Sequence, residues 1–400
     1  MLDKVKRSFL FSRVAVTASG LALIAATYGL VRLAFGLHLP EISADLGVDT
    51  AAAGLVSSAG SIVYAASALI GFVVGDRHPR LLVVAATVTA AGGASGVALA
   101  PDAATFAVSS AIASTGAGLA SPALVSIITR TFARDRADTP QAVVNAGTGP
   151  GLAAAGLITL ALAPDWRLCW AIAAAATLAA GSAVLATDRV RPEGGIGRTD
   201  AARAHGPLLP PRPWWTAHRA PIIAAVLLGV GAAAVWNYGR VILVDAGASN
   251  AQSVVAWVLL GCGGAAVIVT SPAARRLRPQ RLLLVSAAMT ALSTFALGAA
   301  AAHPVIAAAA CALFGWAYVT ATGALIGWTA RVDASHAAAG TALLFVVFMV
   351  GQAVGATMLG SILPIGGAFL TFALAAVAAA AAGLVAPSRH HSPAPGAVRA

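Results

Sequence analysis

GDRHPRLLVV (Gly75–Val84) and RRLRPQRLLLV (Arg275–Val285) are the stretches from which the fold is read. Each is a short basic gap between two long apolar runs, and the two gaps stand about 200 residues apart. An apolar run of ~20 residues is what an α-helix needs to cross a bilayer. Working outward on that rule, spans fall at roughly 14–39, 51–75, 81–100, 103–128, 141–162 and 167–187, then at roughly 220–244, 250–274, 281–301, 304–329, 337–361 and 366–386. Twenty-two of the 25 Lys and Arg residues occupy alternate gaps, and the other gaps carry acids with almost no positive charge. That asymmetry places the basic gaps, both termini and the long middle loop in the cytoplasm.

Composition points the same way. Hydrophobic residues make up 59% and charged residues 10%, with a mean hydropathy of +0.86, which is too little polar surface to coat a soluble globule of 400 residues. The net charge of +11 would suggest nucleic acid in a soluble protein, but here it sits beside helix ends, where anionic lipid attracts it. The expected partners are therefore a small-molecule substrate and membrane lipid, not nucleic acid. Cys169, Cys262 and Cys311 all lie inside apolar runs, so they offer neither a disulfide framework nor a metal cluster. Lys4, Lys6, Arg7 and Arg13 resemble the charged start of a signal peptide, but the run from Val14 to Leu39 is too long for one and reads as a retained helix.

The expected fold is an all-α membrane protein of twelve transmembrane helices in two pseudo-symmetric six-helix bundles. These are residues 1–187 and 220–386, joined by a cytoplasmic linker at 188–219 and followed by a cytoplasmic tail at 387–400. The third, sixth, ninth and twelfth spans carry almost nothing polar and suit lipid contact. The first, second, fourth, seventh and tenth hold most of the polar groups at depth, as cavity helices do.

LPEISADLG (Leu39–Gly47), GFVVGDRHPR (Gly71–Arg80) and DWR (Asp165–Arg167) together resemble the major facilitator superfamily, over nearly the whole chain. YGLVRLAFG (Tyr28–Gly36) is similar to the first helix of a bacterial subgroup. The resemblance implies a monomeric secondary transporter of the bacterial inner membrane that works by alternating access, with no cofactor and no enzymatic activity. It also implies a cytoplasmic gate at Asp76, Arg77 and Arg80, although Phe72 and Pro79 replace the two glycines of the family pattern. A carboxylate beside two guanidiniums can form charge-assisted bonds in one state and release them in the other. The plainer reading makes Arg77 and Arg80 ordinary membrane anchors.

Arg32 is the sharpest single residue: a guanidinium deep in a span costs ~3 kcal/mol or more unless it meets water or a partner. Arg240, within WNYGR of the seventh span, is expected to join it in clamping a carboxylate or phosphate, and the superfamily resemblance implies the same, since its facilitators for organic phosphates place arginines on this helix pair. Snorkelling of Arg240 to the outer interface is the alternative. Tyr28, Trp236, Asn237 and Tyr238 complete the expected site, with Asn145 a further polar candidate and Gln352 facing either the cavity or a neighbouring helix. Trp166, Trp170, Trp214, Trp215 and Trp328 read as interfacial belt residues.

NAGTGPG (Asn145–Gly151) loosely resembles the Gly/Pro motif of drug/proton antiporters, but close helix packing plus a proline kink explains it as well. All acids are read as lying in loops or at helix ends and no His as lying within a span, which leaves no titratable group at depth. An anionic solute is the preferred cargo. A multidrug or metabolite efflux antiporter is the alternative, and a non-transporting membrane sensor a more distant one. No span pairs an embedded Ser with a His or Asp, and no His residues stand at metal spacing, so neither catalytic nor metal residues are expected.

Overall fold

The computed structural model describes residues 2–75, 77–132, 138–188, 212–274, 276–333 and 337–385. Asp76, residues 189–211 of the expected linker and the expected tail lie outside the described residues. Among the described residues every regular element is helical: α1 Leu2–Ile24, a π-helix at Ala25–Arg32, α2 Ala34–Leu46, α3 Thr50–Val74, α4 Pro79–Ala98, α5 Ala103–Thr131, α6 Asp138–Asn145, α7 Thr148–Leu162, α8 Trp166–Thr187, α9 Arg212–Asp245, α10 Asn250–Ala274, α11 Pro279–Ala299, α12 Pro304–Val332 and α13 Ala337–Leu384. Among the described residues eleven helical stretches are long and apolar enough to cross a membrane, and the chain is a multi-pass membrane protein. The last of them, Gly340–Leu384, has 45 residues, about twice a single crossing, and is broken at Gly367, whose φ of +70° lies in the left-handed region that favours glycine.

The first crossing runs without a loop from Arg13 to Leu46, seven residues beyond the expected end. Pro40 is absorbed inside α2, and Gly47 closes the helix in the left-handed conformation with its N–H on the carbonyl of Ser43. The acids of the following gaps have a structural task. The side chains of Asp49, Asp102 and Asp165 accept from the backbone N–H groups of Ala52, Thr105 and Leu168, capping α3, α5 and α8. Asp102 is thereby held below its usual carboxylate range, chiefly by the Thr105 N–H. Arg167 belongs to the same end of the molecule, where it pairs with Asp45 at 2.9 Å, donates to the carbonyls of Ala98 and Ala100, and stacks on Trp166.

Helices from the two halves of the sequence meet along three seams: α2 on α9, α3 on α13, and α7 on α10. At these seams small residues let backbones approach. A Cβ on Gly36 would strike the carbonyl of Trp236, and one on Gly54 would strike the carbonyl of Ala356. The α3–α13 seam is also hydrogen-bonded, Thr50 donating to the carbonyl of Gly360 at 3.2 Å and Ser58 reaching the carbonyl of Ala353 and the hydroxyl of Thr357. Large apolar side chains stay exposed on α4, α8, α11 and the last part of α13, including Val88, Leu178, Leu292 and Val377, as expected of lipid-facing helices.

Candidate functional site

A cavity opens between the helices of the two halves, lined by Arg32, Phe35 and Gly36 from the first crossing, Ser57, Gly60 and Ser61 from α3, Ser110 and Ser114 from α5, Trp170 from α8, Trp236 and Asn237 from α9, and Gln352 from α13. Its volume is about 50 Å³, room for a few waters or a compact polar solute. Among the described residues, Arg32 is the one ionisable side chain on its wall.

The chain presents Arg32 through an unusual local geometry. The π-helix ends at Arg32, and the amide of Leu33 bonds back five residues to the carbonyl of Tyr28. Such wide turns are rare and frequently fall at functional sites. The segment is seated on NAGTGPG: a Cβ on Gly29 or Gly151 would strike the other helix's backbone, as would one on Gly147, which meets Leu21 and Ala25. These glycines therefore serve close packing, with a break at Ala146–Gly147 just before Pro150.

Among the described residues no acid pairs with Arg32. One terminal guanidinium nitrogen donates to the thioether of Met349 at 2.8 Å and to Oε1 of Gln352 at 3.2 Å, while the guanidinium carbon lies 4.5 Å from the centre of the Tyr64 ring. The hydroxyls of Tyr64 and Tyr28 are 2.6 Å apart, so Tyr28 holds the ring on which the cation rests. A thioether and an amide are weak neutral partners for a cation in an apolar layer.

Arg240 occupies a different place from the expected clamp, and it does not snorkel. It is 1% exposed, and both terminal nitrogens lie 2.5 Å from the carboxylate of Glu41 in a fork-on-fork pair. The same guanidinium also donates to the carbonyl of Leu37, Oδ1 of Asn250 and Oγ of Ser253. Glu41 is thus an acid within a helix, since α2 continues past it, and the pair ties the first crossing to α9.

The remaining expected residues divide. Trp236 and Asn237 line the cavity, with the Asn237 amide donating back to the carbonyl of Ala233. Tyr238 is fully buried in the seam, its hydroxyl donating to the carbonyl of Ala356, and so it stands outside the cavity wall. Asn145 is exposed and accepts from Gln141 one turn earlier on α6, apart from the cavity. At the arginine-rich end, Asp76 lies outside the described residues and Arg77 is exposed. Arg80 donates to the carbonyl of Asp188 at 2.6 Å and shares its carboxylate with Arg130. Asp188 at the end of α8 is therefore a junction for two arginines, all three residues lying in the first half of the chain.

Several features escaped the sequence reading. Trp170 is 2% exposed and lines the cavity, and Trp166, Trp214 and Trp328 are also buried, so of the expected belt only Trp215 is exposed. His38 lies within the first crossing, 3% exposed, its Nε2 3.5 Å from the Thr159 hydroxyl, and His218 is buried inside α9; both correct the expectation that no span holds a His. Serines four residues apart, at 57 and 61 and at 110 and 114, were a signal available in the sequence for the cavity faces of α3 and α5.

A family model described as Major Facilitator Superfamily matches residues 21–356. No curated protein matches the chain. Among solved structures, a peptide transporter in complex with sulfate is similar at 17% identity and a TM-score of 0.72, covering 94% of this chain and 93% of that one. A D-xylose–proton symporter matches at 14% identity and 0.73, covering 94% and 97%, and a nucleoside transporter at 13% and 0.71, covering 93% and 97%. At these identities the likeness concerns the fold.

Proposed function

The chain belongs to the major facilitator superfamily, and on that premise we propose that it is a secondary transporter carrying a small anionic solute by alternating access, with the Arg32 cavity as its central site. The observation that carries this reading is a lone guanidinium on a wall built by both halves of the chain, with only Met349 and Gln352 to receive its N–H bonds. A cation at membrane depth without a counter-charge is costly in the empty protein, and an anion entering the cavity relieves that cost.

In this reading residues 1–187 and 220–386 are six-span bundles joined by a cytoplasmic linker at 188–219, the break at Gly367 separates the eleventh span from the twelfth, and the arginine-rich end faces the cytoplasm of a bacterial cell. The Glu41–Arg240 pair and the Thr50–Ser58 seam then close the outer side. Opening outward requires both to part, and anion binding at Arg32 shifts the balance between the two states only as far as it favours one of them. Asp76, Arg77 and Arg80 remain the proposed cytoplasmic gate, with Asp188 holding Arg80 and Arg130 at its edge. The efflux alternative draws on NAGTGPG, whose glycines serve helix packing, and on the many Ala and Gly residues of the bore.

The test is uptake into proteoliposomes containing the purified protein, with a radiolabelled small organic anion in one arm and a lipophilic cation in the other. Saturable anion uptake that disappears in Arg32→Gln supports the reading. Cation flux that survives Arg32→Gln would replace it with the efflux alternative.

A further inference from the structure

Glu41 and Arg240 join the two halves of the chain by a charged pair, whereas the Asp45–Arg167 pair and the Asp188 junction each lie within the first half. The bonds of the Glu41–Arg240 pair are divided unevenly between the halves. Arg240 donates across the seam to Glu41 and to the carbonyl of Leu37, and within its own half to Asn250 and Ser253 of α10. Among the described residues Glu41 accepts from Arg240 alone. When the seam parts, Arg240 keeps two acceptors and the carboxylate keeps none.

Burial sets the same order. The Arg240 side chain is 1% exposed and that of Glu41 15%, so water reaches the carboxylate while the guanidinium is sealed. A proton on Glu41 removes the charge that Arg240 pairs with. It also turns one of the two carboxylate acceptors into a donor aimed at a guanidinium that can only donate. The proton and the fork-on-fork pair therefore exclude one another.

The other titratable groups around Glu41 come from each element packed on it. His38, one turn earlier on α2, is bonded within the first half, its Nε2 3.5 Å from the Thr159 hydroxyl of α7 and its Nδ1 without a partner. From α8 come Cys169, close enough to sense the Glu41 charge, and Arg167, which is held by Asp45. Besides Arg240, α9 brings the exposed Asp245 at its end, and the residues of α10 that reach Arg240 are neutral. Of these groups Glu41 is the acid whose bonds cross the seam.

We propose that Glu41 is a proton-binding site that unlatches the outer side: a proton arriving from outside takes the place of Arg240 on the carboxylate, releases the α2–α9 seam and favours the outward-open state. This rests on that seam being the outer closure of a transporter, and adds to it the ligand that opens it. Because the parted state binds one more proton than the closed one, acid populates it and alkali depletes it.

The experiment is pulsed electron paramagnetic resonance on the purified full-length protein. Spin labels are placed at Ala44→Cys on α2 and Ala246→Cys just beyond α9, both exposed, and Cys262, the exposed native cysteine, is changed to Ser. The distance between the labels is followed from pH 8 to pH 5 with no anion added. The expected result is a short distance at pH 8 and a longer one whose ratio to it rises by up to about tenfold per pH unit, the limit for one linked proton. Glu41→Gln, which cannot ionise, shows the longer distance already at pH 8 and no dependence on pH. Glu41→Asp, which still titrates, keeps a response, and His38→Gln responds as the parent does. A parent distribution that stays constant over the range, or a response that Glu41→Gln retains, would overturn the assignment. A response lost in His38→Gln and kept in Glu41→Gln would move the site to the imidazole and overturn it equally. The pH series of the parent decides the matter even where a variant fails to fold. Failure of the anion reading looks different: anion uptake is absent while the pH response of the distance remains.

Discussion

Arg32 and Arg240 sit on two helices that cross the apolar layer, one in the first crossing and one on α9, yet they have opposite surroundings. Arg240 is fully buried and saturated: a carboxylate, a carbonyl, an amide oxygen and a hydroxyl take its N–H groups. Arg32 is half-buried on a cavity wall and meets a thioether, an amide oxygen and an aromatic face. A buried cation that the protein itself neutralises is part of the structure, and one that the protein leaves unneutralised is available to a ligand. The partners, more than the depth, separate the two roles.

The largest way to break this comparison is to remove the saturated cation. Arg240→Ala leaves Glu41 mostly shielded and unpaired and should cost about 3–5 kcal/mol in a reversible unfolding titration. Replacing the pair together, with Arg240→Met and Glu41→Leu, should return stability to within about 1–2 kcal/mol of the parent, because an apolar pair of similar volume has no charge to desolvate. A double variant as unstable as the single one would show that other bonds of Arg240 dominate. Next in size is Gly29→Ala, whose added methyl meets the backbone of Gly151 beneath the π-helix; it should cost about 1–3 kcal/mol and displace Arg32, which its melting point and anion response would report together. Asp188→Asn frees the half-exposed Arg80 and Arg130 from a buried carboxylate and should cost about 1–2 kcal/mol, less than a fully buried pair because the two guanidiniums remain open to solvent. The smallest stability effect belongs to Arg32→Gln. It removes a cation that lacks a counter-charge and should leave the ligand-free melting point within about 2 °C of the parent.

The parts of the molecule legible in the sequence are those fixed by local composition. Apolar runs of sufficient length, the polar stretch after Asp188 and the opposed charges of alternate gaps each follow from a window of residues and the chemistry of lipid. The cavity residues Arg32, Trp236 and Asn237 were legible for the same reason, being polar or amphipathic groups inside apolar runs. What was not legible depends on partners far along the chain. Glu41 reads as a loop acid until Arg240, 199 residues later, is known to face it on a helix that runs on to Leu46. Trp170 reads as a belt residue because it lies near a helix start, and only the packing of α8 turns it inward. The π-helix at Ala25–Arg32 has no composition of its own and becomes intelligible where Gly29 meets Gly151.

The measurement that tests the central claim most directly is calorimetric titration of a small organic anion, lactate or mandelate, into the purified parent and into Arg32→Gln, each with its ligand-free melting point. The account predicts saturable binding by the parent, a loss of about tenfold or more in affinity for the variant, and melting points that agree. A variant that binds the acid as the parent does, or that melts several degrees lower without ligand, would make Arg32 a structural cation like Arg240 and contradict the assignment of the cavity.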